Sequence, residues 1–173
     1  MIWIAIGGNI SGAWGSPRDA FDRALRELQS CGLDVVTRSS LFLTPPVGQA
    51  GQPRFLNAVL GLRGSIAPTA LLRLLKRLEL QAGRRANGRW AARPLDLDIL
   101  DFGGRILGQQ GTPRPLGRLV LPHPELARRG FVLVPLVEVA PRWHHPCLDA
   151  SAETLLKKAP RLASGIRRLG PWA

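Results

Sequence analysis

Cysteine is scarce in this sequence, and long apolar runs are missing. Cys31 and Cys147 are the two cysteines among 173 residues, which is too few for a disulfide framework or a zinc knuckle. No run approaches the roughly 20 apolar residues that cross a bilayer. The N-terminal stretch has no charged region of the kind that opens a signal peptide. We therefore expect a cytoplasmic protein that forms a single domain over residues 1–173, without membrane association.

Lysine and acidic residues are scarce relative to arginine. The sequence holds 24 basic and 12 acidic residues, for a net charge of +12, and its lysines are Lys76, Lys157 and Lys158. A positive surface attracts polyanions such as nucleic acids, nucleoside triphosphates and acidic membranes. A general bias toward arginine would produce the same excess without any function. The positions of the charges therefore matter more than their sum.

The apolar periodicity predicts alternating strands and helices. Ser16-Pro17 is a helix start, with serine as the N-cap and proline in the first position, and Gly32 ends that helix. A second helix runs from Pro68 to Gly83. Its expected buried residues are Leu71, Leu72, Leu75 and Leu78. The expected strands cover residues 2–7, 33–44, 54–63 and 95–102, and the last ends in a hairpin turn at Gly103-Gly104. Residues 131–139 fit a helix or a strand equally well.

The resulting order is β-α-β-β-α-β with a trailing α/β segment, which is the ferredoxin-like order. We predict an α+β fold with a mainly antiparallel sheet and helices packed on it, in three α/β/α layers. Strands 33–44 and 54–63 are expected to pair with each other through a long loop.

Two aspartates alternate with apolar residues in the last of these strands. Side chains on a strand point to alternate faces, so Asp96 and Asp98 share one face while Leu95, Leu97 and Ile99 point into the core. Two neighbouring carboxylates repel each other unless a cation lies between them, and Mg²⁺ favours one or two carboxylates together with phosphate oxygens and water. A solvated strand face would give the same pattern.

An arginine-rich segment precedes the aspartates. It contains Arg84, Arg85, Arg89, Trp90 and Arg93. Arginines bind phosphates and stabilise charge on a transferring phosphoryl group, and a tryptophan can cover a flat heterocycle. A basic loop that contacts nothing is the alternative. An acidic pair for metal next to arginines for phosphate favours phosphoryl transfer, although the sequence has neither a Walker A loop nor a kinase glycine-rich loop.

The segment that joins these two features is residues 89–100, RWAARPLDLDIL. It resembles the signature of the hydroxymethyldihydropterin pyrophosphokinases, and further segments of the chain resemble the same family in the same order. These segments are 5–9 (AIGGN), 44–48 (TPPVG), 55–58 (FLNA), 78–84 (LELQAGR), 121–124 (LPHP), 129–133 (RGFVL) and 135–141 (PLVEVAP). The resemblance covers roughly residues 2–146.

The resemblance implies an enzyme that transfers the β,γ-diphosphate of ATP to the hydroxymethyl group of 6-hydroxymethyl-7,8-dihydropterin, with AMP as the other product, in folate biosynthesis. It implies two Mg²⁺ ions on Asp96 and Asp98, with Asp96 also touching the pterin. Asp98 is the candidate acceptor of the hydroxyl proton. Arg84 and Arg93 are expected to act on the phosphates during transfer, which makes them catalytic together with the two aspartates.

The same resemblance implies the two substrate sites. The expected ATP-binding residues are Glu79, Arg84, Arg89, Arg93, Arg118, His123 and Arg129. The expected pterin-binding residues are Thr44, Pro45, Val47, Phe55, Asn57, Trp90, Asp96 and Phe131. Physically, Asn57 suits a pterin edge because an amide both donates and accepts hydrogen bonds, although a buried amide or a core Phe131 would need no ligand. The pair His144 and His145 has no third metal ligand nearby, so we expect packing or surface roles for it.

The sequence departs from the family pattern at several positions. Gly8 stands where serine is usual, Ala91-Ala92 where Gly-Pro is frequent, and Phe55 where tyrosine also occurs. Lys76 replaces a common glutamine near the nucleotide site, and Val120 stands where a polar residue can occur. The aspartate pair and both phosphate-side arginines are intact.

Two other functions fit parts of the sequence. A nucleic-acid-binding ferredoxin-like domain would suit the charge, but no strand motif with exposed aromatic residues is present, and the aspartates would repel phosphates without metal. A two-metal nuclease would use the same acidic pair. Neither explains segment 44–48. We expect ATP and the pterin as partners, rather than nucleic acid or membrane, and a monomer.

Overall fold

The computed structural model describes residues 1–46, 51–85, 91–108 and 119–172. Val47, Arg89, Trp90 and Arg118, all predicted to bind ligands, lie outside these ranges. The strands are β1 (Ile2–Gly8), β2 (Asp34–Arg38), β3 (Leu41–Thr44), β4 (Phe55–Arg63), β5 (Asp96–Phe102) and β6 (Arg167–Gly170). The α-helices are α1 (Pro17–Ser30), α2 (Pro68–Gln81), α3 (Gly130–Val139) and α4 (Ala152–Lys158), and 3-10 turns lie at Leu126–Arg128 and Pro160–Ala163.

Both predicted helix starts are confirmed. At α1, the Ser16 side chain accepts the amide hydrogen of Asp19, and the Asp19 carboxylate accepts that of Ser16, so two of the otherwise unpaired amides at the helix start are satisfied. Proline occupies the first position of α1 and of α2. Residues 131–139, for which the sequence left helix and strand open, are helical.

The strands form one sheet in which every described pairing is antiparallel. Its order is β5-β1-β4-β3-β6, and β2 pairs with β4 beside β3. The predicted strand 33–44 is therefore two strands, because the chain leaves the extended path at Ser39-Ser40. There the Glu138 carboxylate of α3 accepts the Ser40 amide at 2.7 Å and the Ser40 hydroxyl at 2.8 Å. The predicted βαββαβ order is otherwise confirmed, and β5 is an edge strand.

Helices cover both faces of the sheet, which gives the predicted three layers. On one face, α1 and α2 pack on a continuous apolar core. Its strand residues include Ile4, Ile6, Leu60, Leu62 and Leu97, and Leu95, directly before β5, belongs to the same core. On the other face, α3 and α4 pack on a smaller apolar cluster around Trp3, Val59 and Leu100. None of the helices within the four described ranges is long and apolar enough to span a membrane.

Two details of the predicted elements were wrong. In α2, Leu74 is buried and Leu72 is only partly so, because the stripe follows positions 71, 74, 75 and 78. After β5, Gly103 and Gly104 do form a turn with positive φ. In the described residues, no strand returns from this turn to pair with β5, and Leu107 forms an isolated bridge with Leu121 instead.

Candidate active site

The floor of the site is formed by three neighbouring strands. The sheet register pairs Gly7 of β1 with Asp96 of β5 on one side and with Asn57 of β4 on the other. The three residues therefore lie in one row on the α3 face of the sheet. Gly7 has no side chain, and Asn57 Oδ1 leans over it, so a Cβ atom placed on Gly7 would lie 2.6 Å from that oxygen. The stretch of this row above Gly7, between the Asn57 amide and the Asp96 carboxylate, is called the gap below.

The predicted pterin-side residues lie next to this gap. Asn57 Nδ2 donates to Thr44 Oγ1 at 2.8 Å, and both side chains are buried. Phe55 is paired with Thr44 across β3 and β4 and shares its face. A cavity of about 310 Å³ opens beside Thr44 and Pro45 and is bounded on the α3 side by Arg129 and Phe131. The structure therefore brings these predicted residues together at one end of the sheet.

Two arginines hold Asp96. Arg84 Nη1 contacts Asp96 Oδ1, and Arg93 Nη1 lies 3.2 Å from Asp96 Oδ2, so each carboxylate oxygen has its own guanidinium. Burial alone would raise the pKa of Asp96, but the Arg84 and Arg93 charges hold it below its ordinary value. Asp96 is therefore an anion that both predicted phosphate-side arginines already reach.

Asp98 has more distant basic neighbours, two of them cations. Lys76 Nζ is 3.7 Å from Asp98 Oδ1, while Arg129 Nη1 and His123 Nε2 are 3.5 and 3.8 Å from Oδ2. Burial lowers the pKa of His123, so the neutral ring is favoured. His123 Nδ1 accepts the Glu125 amide at 3.1 Å. The neutral ring therefore carries its hydrogen on Nε2, which faces Asp98.

Glu79 anchors the free edge of β5. Its side chain is 3% exposed, and Oε1 accepts the Leu97 amide, lies 2.7 Å from Lys76 Nζ and lies 2.7 Å from Arg84 Nη1. Lys76 in turn donates to the Leu97 carbonyl oxygen at 3.1 Å. Burial raises the pKa of Glu79, against the opposing influence of Lys76 and Arg84. Residues of α2 thus occupy the positions that a neighbouring strand would fill, and they fix Arg84 beside Asp96.

Asn9 is a site residue that sequence reasoning missed. It pairs with Arg93 twice: the Asn9 amide donates to the Arg93 carbonyl at 2.9 Å, and Asn9 Oδ1 accepts the Arg93 amide at 2.8 Å. Asn9 Nδ2 donates to the Pro53 carbonyl at 3.1 Å. One side chain therefore links the start of β5 to the segment that precedes β4. The single signal in the sequence was a polar residue directly after Gly7-Gly8.

Gly8, a departure from the family pattern, lies so close to Pro94 that a Cβ atom on it would be 2.4 Å from the Pro94 carbonyl oxygen.

The two neighbouring histidines differ in burial. His144 is exposed, and His145 is buried with its ring against Trp143. Across the described ranges, no three His, Cys, Asp or Glu residues form a group that could hold a metal ion. The packing role expected for His145 and the surface position of His144 are confirmed.

An acidic pair on one strand face, with arginines closing on it, is the combination that phosphoryl transfer uses. Fold and site together therefore define a small α+β protein of the phosphoryl-transfer class without a Walker loop. Comparison with known proteins narrows this class. Residues 3–141 match the model of the family described as 7,8-dihydro-6-hydroxymethylpterin-pyrophosphokinase (HPPK).

Individual relatives agree with the family match. The chain is 38% identical over 141 residues to the 2-amino-4-hydroxy-6-hydroxymethyldihydropteridine pyrophosphokinase of Pseudomonas aeruginosa, covering 81% of this chain and 80% of that protein. It is 34% identical over 168 residues to the Bacillus subtilis protein of the same name, covering 96% and 93%. The chain belongs to the HPPK family, which confirms the resemblance seen in the sequence.

The fold is also that of a solved structure. The HPPK-DHPS triple mutant of Plasmodium falciparum aligns with a TM-score of 0.72 over 96% of this chain at 13% identity. At this identity the likeness concerns the fold. The chain spans 46% of the length of that larger protein.

Proposed function

We propose that this protein transfers the β,γ-diphosphate of ATP to the hydroxymethyl oxygen of 6-hydroxymethyl-7,8-dihydropterin, releasing AMP. The observation that carries the proposal is one row on the sheet. Asp96 and its two arginines stand across Gly7 from Asn57, which is bonded to Thr44. A flat heterocycle in the gap would thus have an amide at one edge and the charged cluster at the other.

The residues present fit magnesium. Asp96 and Asp98 supply hard carboxylate oxygens, and Mg²⁺ typically takes one or two carboxylates and completes its shell with phosphate oxygens and water. We propose that these two aspartates hold two Mg²⁺ ions. The ions would neutralise the triphosphate and orient the attacking oxygen. Among the residues that the structure describes, no third His, Cys, Asp or Glu joins the two carboxylates, and such a pair suits ions that arrive with a nucleotide.

The arginines are placed to exchange partners. Arg84 and Arg93 contact Asp96 directly, and guanidinium groups bind phosphate oxygens as readily as carboxylates. With Asp96 holding a metal ion, both arginines would be free to contact the nucleotide. We propose that they stabilise the charge of the transferring diphosphate, and that Glu79 keeps Arg84 in place.

The reaction needs a group that accepts the proton of the hydroxymethyl oxygen. A bond forms between the hydroxymethyl oxygen and the β-phosphorus, the bond from the β-phosphorus to the α,β-bridging oxygen breaks, and AMP leaves with that oxygen. The hydroxyl proton must go to a base. We propose Asp98, because its cations Lys76 and Arg129 lie at 3.7 and 3.5 Å, whereas both oxygens of Asp96 are engaged at shorter range. We also propose that His123 and Arg129, which face Asp98, contact the nucleotide.

The pterin side supplies orientation. Because Asn57 Nδ2 donates to Thr44, its Oδ1 is directed over Gly7 and can accept a hydrogen bond from an N–H edge. Phe131 on α3 and Phe55 on β4 would provide apolar contacts to the ring. Val47, Trp90, Arg89 and Arg118 remain predicted ligand-binding residues from the family resemblance.

The remaining expectations belong to the same proposal. We propose that residues 1–173 act as one domain and as a monomer, on small-molecule substrates rather than nucleic acid. Two exposed, unbridged cysteines suit the reducing cytoplasm.

The test is AMP release from Mg-ATP, measured with and without 6-hydroxymethyl-7,8-dihydropterin. We expect AMP and the pterin diphosphate in equal amounts when both substrates are present. AMP formed without the pterin, or none under either condition, would contradict the proposal. A matched assay with a short RNA substrate tests the nuclease alternative, for which we expect no cleavage.

A further inference from the structure

Lys76 has a position that the proposed reaction does not explain. It is one of three lysines in the sequence, and its side chain is 43% exposed. The ammonium group reaches three acceptors: Glu79 Oε1 at 2.7 Å, the Leu97 carbonyl at 3.1 Å and Asp98 Oδ1 at 3.7 Å. It therefore lies between helix α2 and the carboxylate pair.

The three contacts of Lys76 differ in strength and permanence. Glu79 is buried and also accepts the Leu97 amide, so its position is fixed by the edge of β5. The Leu97 carbonyl belongs to the backbone of that strand. Asp98 is the longest contact and the one whose carboxylate is partly exposed. If Asp98 turned to another cation, Lys76 would keep its two other acceptors, and its charge would stay beside the pair.

The charge balance around the pair is already positive. Three carboxylates, those of Glu79, Asp96 and Asp98, face four permanent cations. The cations are Lys76, Arg84, Arg93 and Arg129. A free divalent ion that approaches Asp98 must therefore overcome repulsion as well as an existing partner. A nucleoside polyphosphate brings the negative charge that removes this obstacle.

Building on the proposed function, we infer that Lys76 competes with the first divalent ion for Asp98, so that metal binds the site well only as a complex with a polyphosphate. Lys76 is then a positioning residue, because it acts through Asp98 rather than on the reacting atoms. Its ligand class is the metal–nucleoside triphosphate complex. The consequence is a low affinity for metal alone and a large gain in metal affinity when nucleotide is present.

The experiment measures Mn²⁺ binding by electron paramagnetic resonance, without nucleotide and then with saturating α,β-methylene-ATP. Without nucleotide, Lys76→Gln should bind Mn²⁺ about fivefold more tightly than the natural protein, as expected for loss of one partly exposed ionic competitor. Lys76→Arg should restore weak binding. With the analogue present, the difference between Lys76→Gln and the natural protein should shrink.

Lys158→Gln is the matched control, because it removes the same formal charge from α4, outside the cluster. It should bind Mn²⁺ like the natural protein. Equal affinity of Lys76→Gln and Lys158→Gln would overturn the inference, since the effect would then be one of net charge or absent. Thermal unfolding verifies that each variant is folded, and Lys76→Met, which keeps the apolar stem, replaces Lys76→Gln if that variant unfolds.

The same data separate this inference from the proposed function. Manganese binding requires neither pterin nor turnover. If the natural protein releases AMP in a pterin-dependent way but Lys76→Gln binds Mn²⁺ with unchanged affinity, the inference about Lys76 is wrong and the proposed function stands. If Lys76→Gln binds Mn²⁺ more tightly but the natural protein shows no pterin-dependent AMP release, the proposed function is wrong and the inference about Lys76 stands.

Discussion

The two faces of the sheet differ although the same strands form both. Toward α1 and α2, the three strands β1, β4 and β5 contribute mostly buried apolar residues from one end to the other. Toward α3 and α4, they are apolar only at the end near Trp3, Val59 and Leu100. In the part of the chain that the structure describes, the other end of this face carries the row from Asp96 to Asn57 in place of a packed apolar cluster. One face is devoted to stability, and the second is divided between stability and chemistry.

Strand β5 shows the difference within three consecutive residues. Leu97 is fully buried against the α1/α2 core, while Asp96 and Asp98 project to the opposite face beside the cations. Lys76 and Glu79 form hydrogen bonds with the backbone of Leu97. A rigid, well-packed strand thus carries two carboxylates that would repel each other in isolation. Substitutions on the two faces should therefore have separable effects.

The largest expected effect is on catalysis, from Asp98→Asn. Removing the charge from one of two proposed metal ligands should lower kcat by about a thousandfold, since metal-ion stabilisation contributes several kcal/mol. The free energy of unfolding should change little, because the carboxylate is partly exposed and its ion pairs with Lys76 and Arg129 are long, at 3.7 and 3.5 Å. Steady-state AMP release and denaturant unfolding measure the two quantities. Near-normal turnover would refute the role of Asp98.

The neighbouring substitution Leu97→Ala should act mainly on stability rather than on catalysis. Loss of a fully buried leucine side chain should lower the free energy of unfolding by about 2–5 kcal/mol. Urea unfolding measures this change. The matched variant Asp98→Asn serves as the control from the other face of the same strand. The division between the faces fails if Leu97→Ala is as stable as the natural protein.

Gly7→Ala tests the gap in the row. A methyl group at this position would lie 2.6 Å from Asn57 Oδ1 and must displace that amide. We expect KM for the pterin to rise by about tenfold, as for a pocket altered by one methyl-sized group. Calorimetry of Mg-ATP alone is the internal control and should give an unchanged Kd. A weaker nucleotide Kd with normal pterin binding would place the pterin elsewhere.

The smallest effect concerns Glu138, which joins α3 to the break between β2 and β3. Burial alone would raise the pKa of Glu138, but hydrogen bonds from Ser40 and from Arg168 hold it below its ordinary value. A lowered carboxyl pKa means that this contribution to stability is complete above the ordinary glutamate pKa and is lost as the pH falls through the lowered one. Glu138→Gln should therefore cost about 1 kcal/mol at neutral pH.

The pH dependence provides the control for Glu138. The stability difference between Glu138→Gln and the natural protein should narrow as the pH falls through the acidic range. Glu153→Gln removes an exposed helix-surface pair with Lys157 and should produce no measurable change at any pH. A constant difference for Glu138→Gln across the pH range would show that its charge is irrelevant.

Much of the fold could be predicted because local signals and periodicity agreed. Ser16-Pro17 and Pro68 marked helix starts, and alternation placed Asp96 and Asp98 on one face. The break at Ser39-Ser40 could not be predicted, because it depends on Glu138, which lies 98 residues from Ser40 along the chain. Helix α3 is apolar on all sides, so its sequence has no hydrophobic periodicity that separates a helix from a strand. Its helical state depends on packing against the sheet.

Within the site, the sequence identified the residue types but not their partners. The roles of Lys76 and Asn9 were missed because their contacts cross between elements. Asn9 meets Arg93 across 84 residues, and Lys76 meets Leu97 across 21. Glu79 was predicted on the nucleotide side, and the structure shows it holding the edge of β5 and Arg84. Its own contact with nucleotide stays a prediction.

The sequence by itself determined the family, the order of the elements and the shared face of Asp96 and Asp98, since motif content and strand alternation depend only on neighbours along the chain. Tertiary structure alone decided which cation faces which carboxylate and which residues lie beside Gly7 in the row on the sheet. The reason is physical: ion pairs and close approaches such as that of Gly7 to Asn57 arise from strand register and helix docking, which bring together residues far apart in sequence.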